Sequence, residues 1–220
     1  MATAEKSIRP YSVMEEIVHA GTHGVGIVLA AIAMVFLLLK ASDQGVLSIT
    51  AVSIYAGCMI LMYGCSTLYH SMFKSKLQPF FKMLDHSAIY FKIAGSYTPF
   101  ALITLPASTG IWVMVGVWGA ALSGTLFKLI AFLRKSGKKM NYISLAIYLA
   151  MGWAGVLMVG PLAESLPKEA LYWLFAGGAF FTIGAIFYAI KSVAYFHAVW
   201  HVFVLLGSAS HFFAIYLYVI

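Results

Sequence analysis

The chain has 220 residues, of which 62% are hydrophobic and only 10% are charged, with a mean hydropathy of +0.92. A soluble domain carries about 25% charged residues, so this composition excludes an ordinary soluble protein and indicates a multi-pass membrane protein. The formal net charge is +7, but the basic residues concentrate in a few connections between apolar segments. That distribution relates to membrane orientation and not to nucleic acid.

Seven apolar segments, each long enough to form a transmembrane helix, follow a polar stretch over residues 1–18. Within that stretch, Ser12 followed by Glu15 predicts a capped helix start, and an interfacial helix is one interpretation of it. The predicted spans cover approximately residues 19–39, 46–70, 84–105, 111–133, 140–159, 170–190 and 195–220. The sequence therefore predicts an all-α membrane protein with one domain, a bundle of seven transmembrane helices over residues 19–220.

Two spans carry features that predict local geometry. Pro99 lies inside the third span and predicts a kink, because proline leaves a carbonyl group of the preceding turn without its usual donor. Gly116, Ala120 and Gly124 follow one another at four-residue intervals on the fourth span. Such a stripe of small residues predicts close packing against another helix.

The positions of lysine and arginine predict the orientation of the bundle. If the N-terminus is inside, the inside segments hold ten of the fourteen basic residues: Lys6, Arg9, Lys74, Lys76, Lys82, Arg134, Lys135, Lys138, Lys139 and Lys191. The outside segments hold Lys40 and Lys168, while Lys92 and Lys128 lie within spans. The positive-inside rule thus predicts a cytoplasmic N-terminus and an outside C-terminus.

A pair of histidines opens the last span, at His197 and His201. This four-residue spacing places both imidazole rings on one face of a helix, about 6 Å apart along its axis, where they can share a metal ion. Polar groups in a membrane helix require partners inside the protein. His70 at the end of the second span and Asp85 at the start of the third are predicted to lie at the same depth.

The four residues together predict a zinc site. Three neutral imidazoles suit Zn²⁺ and leave a fourth position for water, an arrangement typical of catalytic zinc. Asp85 is placed to hydrogen-bond that water or to act as a general base. Ser66, one turn before His70, is placed to hydrogen-bond the water or a substrate carbonyl group.

Other polar residues leave alternatives open. His19 and His23, also four residues apart, form a rival pair, for which helix capping or cavity lining is the simpler interpretation. His86 is predicted to face away from Asp85, and His211 to lie about 15 Å deeper than His201. Lys92 either lines a cavity above the site or extends toward the membrane interface.

These residues resemble the haemolysin III family, the bacterial branch of the progestin and adipoQ receptor family. The resemblance covers almost the whole chain. Its markers are Glu16 with Thr22-His23-Gly24, Ser66-Thr67-Leu68-Tyr69-His70, the stretch from Leu84 to Tyr90, Gly95 with Tyr97-Thr98-Pro99-Phe100, and His197-Ala198-Val199-Trp200-His201. Lys92 stands where the resemblance leads us to expect an apolar residue.

The resemblance implies a seven-helix protein of the bacterial inner (plasma) membrane with a zinc ion near the cytoplasmic face. It implies that His70, His197 and His201 bind the zinc ion, that Asp85 contacts the zinc-bound water and that Ser66 supports it. The family is related to alkaline ceramidases, which implies hydrolysis of lipid amides or esters. A membrane lipid or a lipid-like molecule is then the expected substrate.

Three functions stay open at the level of sequence. The first is a zinc-dependent membrane hydrolase acting on a lipid amide or ester. The second is a non-enzymatic sensor or regulator of membrane state, in which zinc is a structural ion. The third is a haemolysin-like cytolysin, although no amphipathic pore element stands out in the sequence. Assembly into a homo-oligomer is also left open.

Overall fold

The computed structural model describes residues 10–135 and 139–220, and these residues form helices joined by short connections, with no strand among them. The α-helices are α1 (Val13–Ala41), α2 (Val46–Ser71), α3 (Gln78–Pro99), α4 (Ala107–Leu133), α5 (Lys139–Trp153), α6 (Val159–Ser165), α7 (Lys168–Ala189) and α8 (Phe196–Tyr218). Short 3-10 segments occupy Ser42–Gln44 and Ala154–Met158. The chain is therefore an all-α membrane protein, as predicted.

Six helical segments of the described residues are long and apolar enough to cross a membrane: Val13–Gln44, Val46–Ser71, Ala107–Leu133, Met140–Ser165, Lys168–Ala189 and Phe196–Tyr218. The segment Met140–Ser165 combines α5, a 3-10 turn and α6. The remaining long helix, α3, has 22 residues but carries Lys82, Asp85 and Lys92. A seventh membrane span through α3 stays a prediction.

A capping box begins α1. The Glu15 backbone N–H donates to Ser12 Oγ at 3.2 Å, and the Ser12 N–H donates to Glu15 Oε2 at 2.9 Å. These two bonds confirm the predicted helix start, because they satisfy N–H groups that the first turn leaves unpaired. Residues 13–18 are the first turns of α1, and residues 1–9 of the predicted N-terminal segment lie outside the described residues.

Helix packing brings α1, α2, α3 and α8 together, with α7 beside α8 and α4 beside α3. Gly124 on α4 contacts the Tyr90 ring so closely that a Cβ atom there would lie 2.4 Å from it. A Cβ atom at Gly116 would meet nothing within 4 Å. Of the two glycines in the predicted small-residue stripe, Gly124 is therefore the one that allows close helix contact.

An irregular segment follows Pro99. The chain continues as a π-helix over Phe100–Thr104 before Leu105 becomes extended. Nearby, the Tyr97 hydroxyl donates to the Met151 carbonyl oxygen at 2.6 Å, where α5 is about to change to a 3-10 helix. These segments are therefore less regular than a straight helix, and Tyr97, Gly152 and Trp153 line a cavity inside the bundle.

Candidate metal centre and its cavity

The ends of four helices meet at one end of the bundle. The residues placed there are His19 and His23 on α1, His70 at the end of α2, Asp85 on α3, and His197 and His201 on α8. Sequence reasoning placed four of these residues at one depth, and the structure brings all four to this end. Their roles in binding or catalysis stay predictions.

Three histidines fit a metal ion by their geometry. Ring nitrogens of His19, His70 and His197 all lie within 4.8 Å of one another. The Nε2 atoms of His70 and His197 are 3.3 Å apart, and two nitrogens that bind one tetrahedral zinc ion at 2.0–2.1 Å are separated by about 3.3 Å. Both ring nitrogens of His19 are buried without a hydrogen-bond partner among the described residues. These residues could hold a metal ion.

Glu16 orients His70. Its Oε2 atom lies 2.7 Å from Nδ1 of His70 and 3.8 Å from Nδ1 of His19. Since an ionised carboxylate only accepts hydrogen bonds, Nδ1 of His70 carries the proton, and Nε2 presents its lone pair toward His197. Metal-binding histidines typically have such a carboxylate on the other ring nitrogen.

The role of Glu16 was missed from the sequence, where this residue served only as a family marker. A signal for it exists, because Glu16 is a carboxylate three residues before His19 in a largely apolar helix. Residues three apart share a helix face, and a carboxylate at that depth needs a partner.

His201 borders the three-histidine group. Its Nδ1 atom lies 3.0 Å from Thr22 Oγ1 and 3.2 Å from the His19 carbonyl oxygen. The Thr22 hydroxyl already donates to that carbonyl at 2.9 Å, so Nδ1 of His201 carries the proton and donates to both oxygens. Its Nε2 atom has no hydrogen-bond partner among the described residues. The His201 ring centroid is 4.7 Å from that of His197 and 5.2 Å from that of His70.

The histidines that converge therefore differ in one member from the predicted set, since His19 joins His70 and His197 while His201 stands beside them. His19 was assigned to capping or cavity lining, because its four-residue spacing to His23 does not say which face α1 turns toward α2 and α8. His23 lines the cavity and stacks on the His201 ring at 3.6 Å.

Asp85 and Ser66 lie on the wall of a cavity of about 190 Å³ that also reaches His197 and His201. Asp85 is buried, with 9% of its surface exposed, and its carboxyl group interacts with the Ser66 hydroxyl. The cavity continues away from the histidines to Lys92, which is also buried. One continuous space thus connects the histidine end of the bundle with its apolar interior.

Comparison with known proteins agrees with this architecture. Residues 11–212 match the family described as "Haemolysin-III related". The "Hemolysin-3 homolog" of Bacillus subtilis is 40% identical over 209 residues, which cover 94% of this chain and 96% of that protein. "Hemolysin-3" of Bacillus cereus is 42% identical over 209 residues, covering 94% and 93% respectively. The human "Monocyte to macrophage differentiation factor" is 30% identical over 203 residues, covering 90% and 81%.

The matched region includes every residue of the histidine cluster, the cavity wall from Ser66 to Asp85, and all helices up to the middle of α8. The similarity thus extends over the whole site and most of each relative. The chain belongs to the haemolysin III-related family.

Proposed function

We propose that this protein holds a zinc ion inside its helix bundle and uses it to hydrolyse an amide or ester bond of a membrane lipid. The observation that carries the proposal is the meeting of the His70 ring on α2 with the His197 and His201 rings on α8 beside an apolar cavity. A ligand set made of imidazoles favours zinc over magnesium or calcium, which prefer oxygen.

The proposed zinc ligands are His70, His197 and His201, the set predicted from the sequence. His70 and His201 each have Nδ1 hydrogen-bonded to an oxygen, which leaves Nε2 free to bind an ion. That arrangement is typical of metal-bound histidine. Nδ1 of His197 and both ring nitrogens of His19 lack such a hydrogen bond. His197 is kept as a ligand because its Nε2 atom lies 3.3 Å from Nε2 of His70, and His19 is the neighbour of the site in this proposal.

Bound zinc would act as a Lewis acid that polarises a carbonyl group and lowers the pKa of water to about 7. The protein's own residues supply the rest of the chemistry. Asp85 accepts a proton at the cavity wall, and Ser66 holds the Asp85 carboxyl group in place through their interaction. The apolar side chains of the cavity receive the hydrocarbon chain of the lipid and exclude water from it.

The test is lipid turnover by purified, zinc-loaded protein with a ceramide-like substrate. We expect Asp85→Asn to bind zinc normally and to lose turnover, because the side chain keeps its shape but accepts protons poorly. Asp43→Asn, in the short segment Ser42–Gln44 after α1, is the matched control and should keep full activity. Equal turnover in wild type and Asp85→Asn, or none in either, would contradict the hydrolase.

A second function, a non-enzymatic sensor or regulator of membrane state with structural zinc, is favoured by the position of His19. Four imidazoles, from His19, His70, His197 and His201, would fill all four positions of a zinc ion, as structural sites do. His19→Ala separates the two functions. In the hydrolase it leaves zinc content and turnover nearly unchanged, whereas in the structural site it lowers zinc affinity and the melting temperature together.

The orientation is part of the proposal, with the N-terminus in the cytoplasm, the C-terminus outside and the histidine cluster near the cytoplasmic face of a bacterial inner membrane. It is supported by the ten-to-two distribution of basic residues between the two sides. A phosphatase that folds only outside the cytoplasm, fused after Ile220, should be active. An inactive but intact fusion would reverse the orientation.

A further inference from the structure

Lys92 is a buried cation without a counter-charge. It follows Asp85 by seven residues on α3, about 10.5 Å along the helix axis. Only 5% of its surface is exposed, and its Nζ atom lies 4.1 Å from the centre of the Phe181 ring on α7. Within the described parts of the chain, its Nζ atom has no hydrogen bond and no carboxylate partner. A contact with an aromatic ring recovers much less than a buried charge costs.

His211 lies against the same phenylalanine. Its ring centroid is 5.5 Å from that of Phe181, at an interplanar angle of 72°. Its Nδ1 atom is buried and has no hydrogen-bond partner among the described residues. The His211 ring also interacts with the backbone of Leu174 on α7. Lys92 therefore offers the unpaired cation, and His211 a second polar group, to one space that both of them line.

The backbone of α7 leaves room for this arrangement. A Cβ atom at Gly177 would lie 2.3 Å from Cδ2 of the His211 ring, so any side chain there would displace the ring. The rest of the surrounding wall is largely apolar and includes Ile93, Leu174 and Val204. The two polar groups thus face a space that suits a hydrocarbon chain.

We propose that Lys92 binds, beside His211, the carboxylate group of a single-chain amphiphile whose hydrocarbon chain lies in the cavity. One lysine supplies one positive charge, which matches a carboxylate. A phosphate monoester carries about −1.5 to −2 at pH 7 and would keep uncompensated charge inside the bundle. The proposal goes beyond the proposed hydrolase and does not depend on zinc, since neither residue belongs to the histidine cluster.

The experiment measures equilibrium binding of labelled dodecanoate, 1-dodecanol and dodecyl phosphate to the purified full-length protein in a nonionic detergent. We expect wild type to bind dodecanoate at least 10-fold more tightly than the alcohol, and the phosphate less tightly than the carboxylate. Lys92→Met should abolish the preference for carboxylate over alcohol, and Lys92→Arg should retain it. Lys168→Met, which removes an exposed lysine at the start of α7, is the matched control and should retain it as well.

Two further measurements keep the result interpretable. Lys92→Met should melt at or above the wild-type temperature, because an unpaired buried charge has been removed, and it should bind zinc as wild type does. A carboxylate preference that survives in Lys92→Met, or that is missing in wild type, would overturn the site. Tighter binding of dodecyl phosphate than of dodecanoate would overturn its assignment to carboxylates. A failure of the hydrolase would appear as absent lipid turnover with this binding preference unchanged.

Discussion

The two ends of the cavity treat their polar side chains differently. At the histidine end, Glu16 bonds His70, and Thr22 bonds His201, so donors and acceptors within the protein orient the rings. At the other end, Lys92 and His211 both contact the Phe181 ring, and Nδ1 of His211 is buried without a hydrogen-bond partner among the described residues. Rings oriented in this way are typical of a site for a tightly bound metal ion. The unpartnered groups at the other end suit a ligand that binds reversibly.

The difference follows from where the carboxylates lie. Glu16 and Asp85 are buried near the histidines, where they would offset the charge of a bound metal ion. The Lys92 end lies deeper along α3, and no carboxylate of the described residues reaches it. A cation there without an anion is costly, and an anion supplied from outside the chain would offset that cost.

The largest expected effect separates the two ends by metal content. His70→Ala should weaken zinc binding by more than about 100-fold, because loss of a ligand exceeds the 10–100-fold effect of losing an outer hydrogen-bond partner. His211→Ala, which removes a half-buried histidine at the other end, should leave zinc binding unchanged. Metal analysis of both purified variants checks this. An equal zinc content in His70→Ala and wild type would show that the metal ion does not bind at the histidine end.

The second prediction concerns the carboxylate behind His70. Glu16→Gln should weaken zinc binding by about 10-fold to 100-fold, since a neutral amide supports the basicity of the His70 imidazole less well. The control is Glu164→Gln, an exposed carboxylate on α6. Competition with a chelator of known affinity measures both. If the two variants bind zinc equally well, Glu16 only packs against His70 and does not raise the basicity of its imidazole.

The third prediction tests the Lys92 end of the cavity by changing the packing around His211. Gly177→Ala should displace the His211 ring, lower stability by about 1–3 kcal/mol as overpacking does, and weaken dodecanoate binding. Gly178→Ala is the matched control on the next residue, where a Cβ atom would meet Trp153 at an ordinary 3.5 Å. Thermal melting and the binding measurement should change in the first variant only. Unchanged dodecanoate binding in a destabilised Gly177→Ala would separate His211 from the carboxylate site.

The same contrast shows what the sequence can predict. Apolar length identified the membrane helices, and Ser12 with Glu15 gave the start of α1, because both signals are local. The meeting of His70, Asp85, His197 and His201 followed from counting spans, since alternate span ends lie on one side. Predicting that these four residues lie at the same depth required no knowledge of side-chain contacts.

What the sequence could not predict depends on how helices rotate about their own axes. Nothing local says that α1 turns Glu16 and His19 toward α2, which made His19 appear peripheral. The contact of Lys92 and His211 with one phenylalanine joins three helices that are distant in sequence. Such contacts arise from tertiary packing, so they had to be read from the structure.

The smallest expected effect tests whether His201 belongs with the ligands or only beside them. Thr22→Val removes one of the two oxygens that hold Nδ1 of His201 and leaves the His19 carbonyl group in place. A hydrogen bond contributes about 0.5–1.5 kcal/mol, so zinc affinity should fall about 2-fold to 10-fold if His201 binds the ion. Thr125→Val, whose buried hydroxyl on α4 has no hydrogen-bond partner among the described residues, should leave zinc affinity unchanged. If Thr22→Val also leaves it unchanged while His19→Ala lowers it, His19 is the third ligand in place of His201.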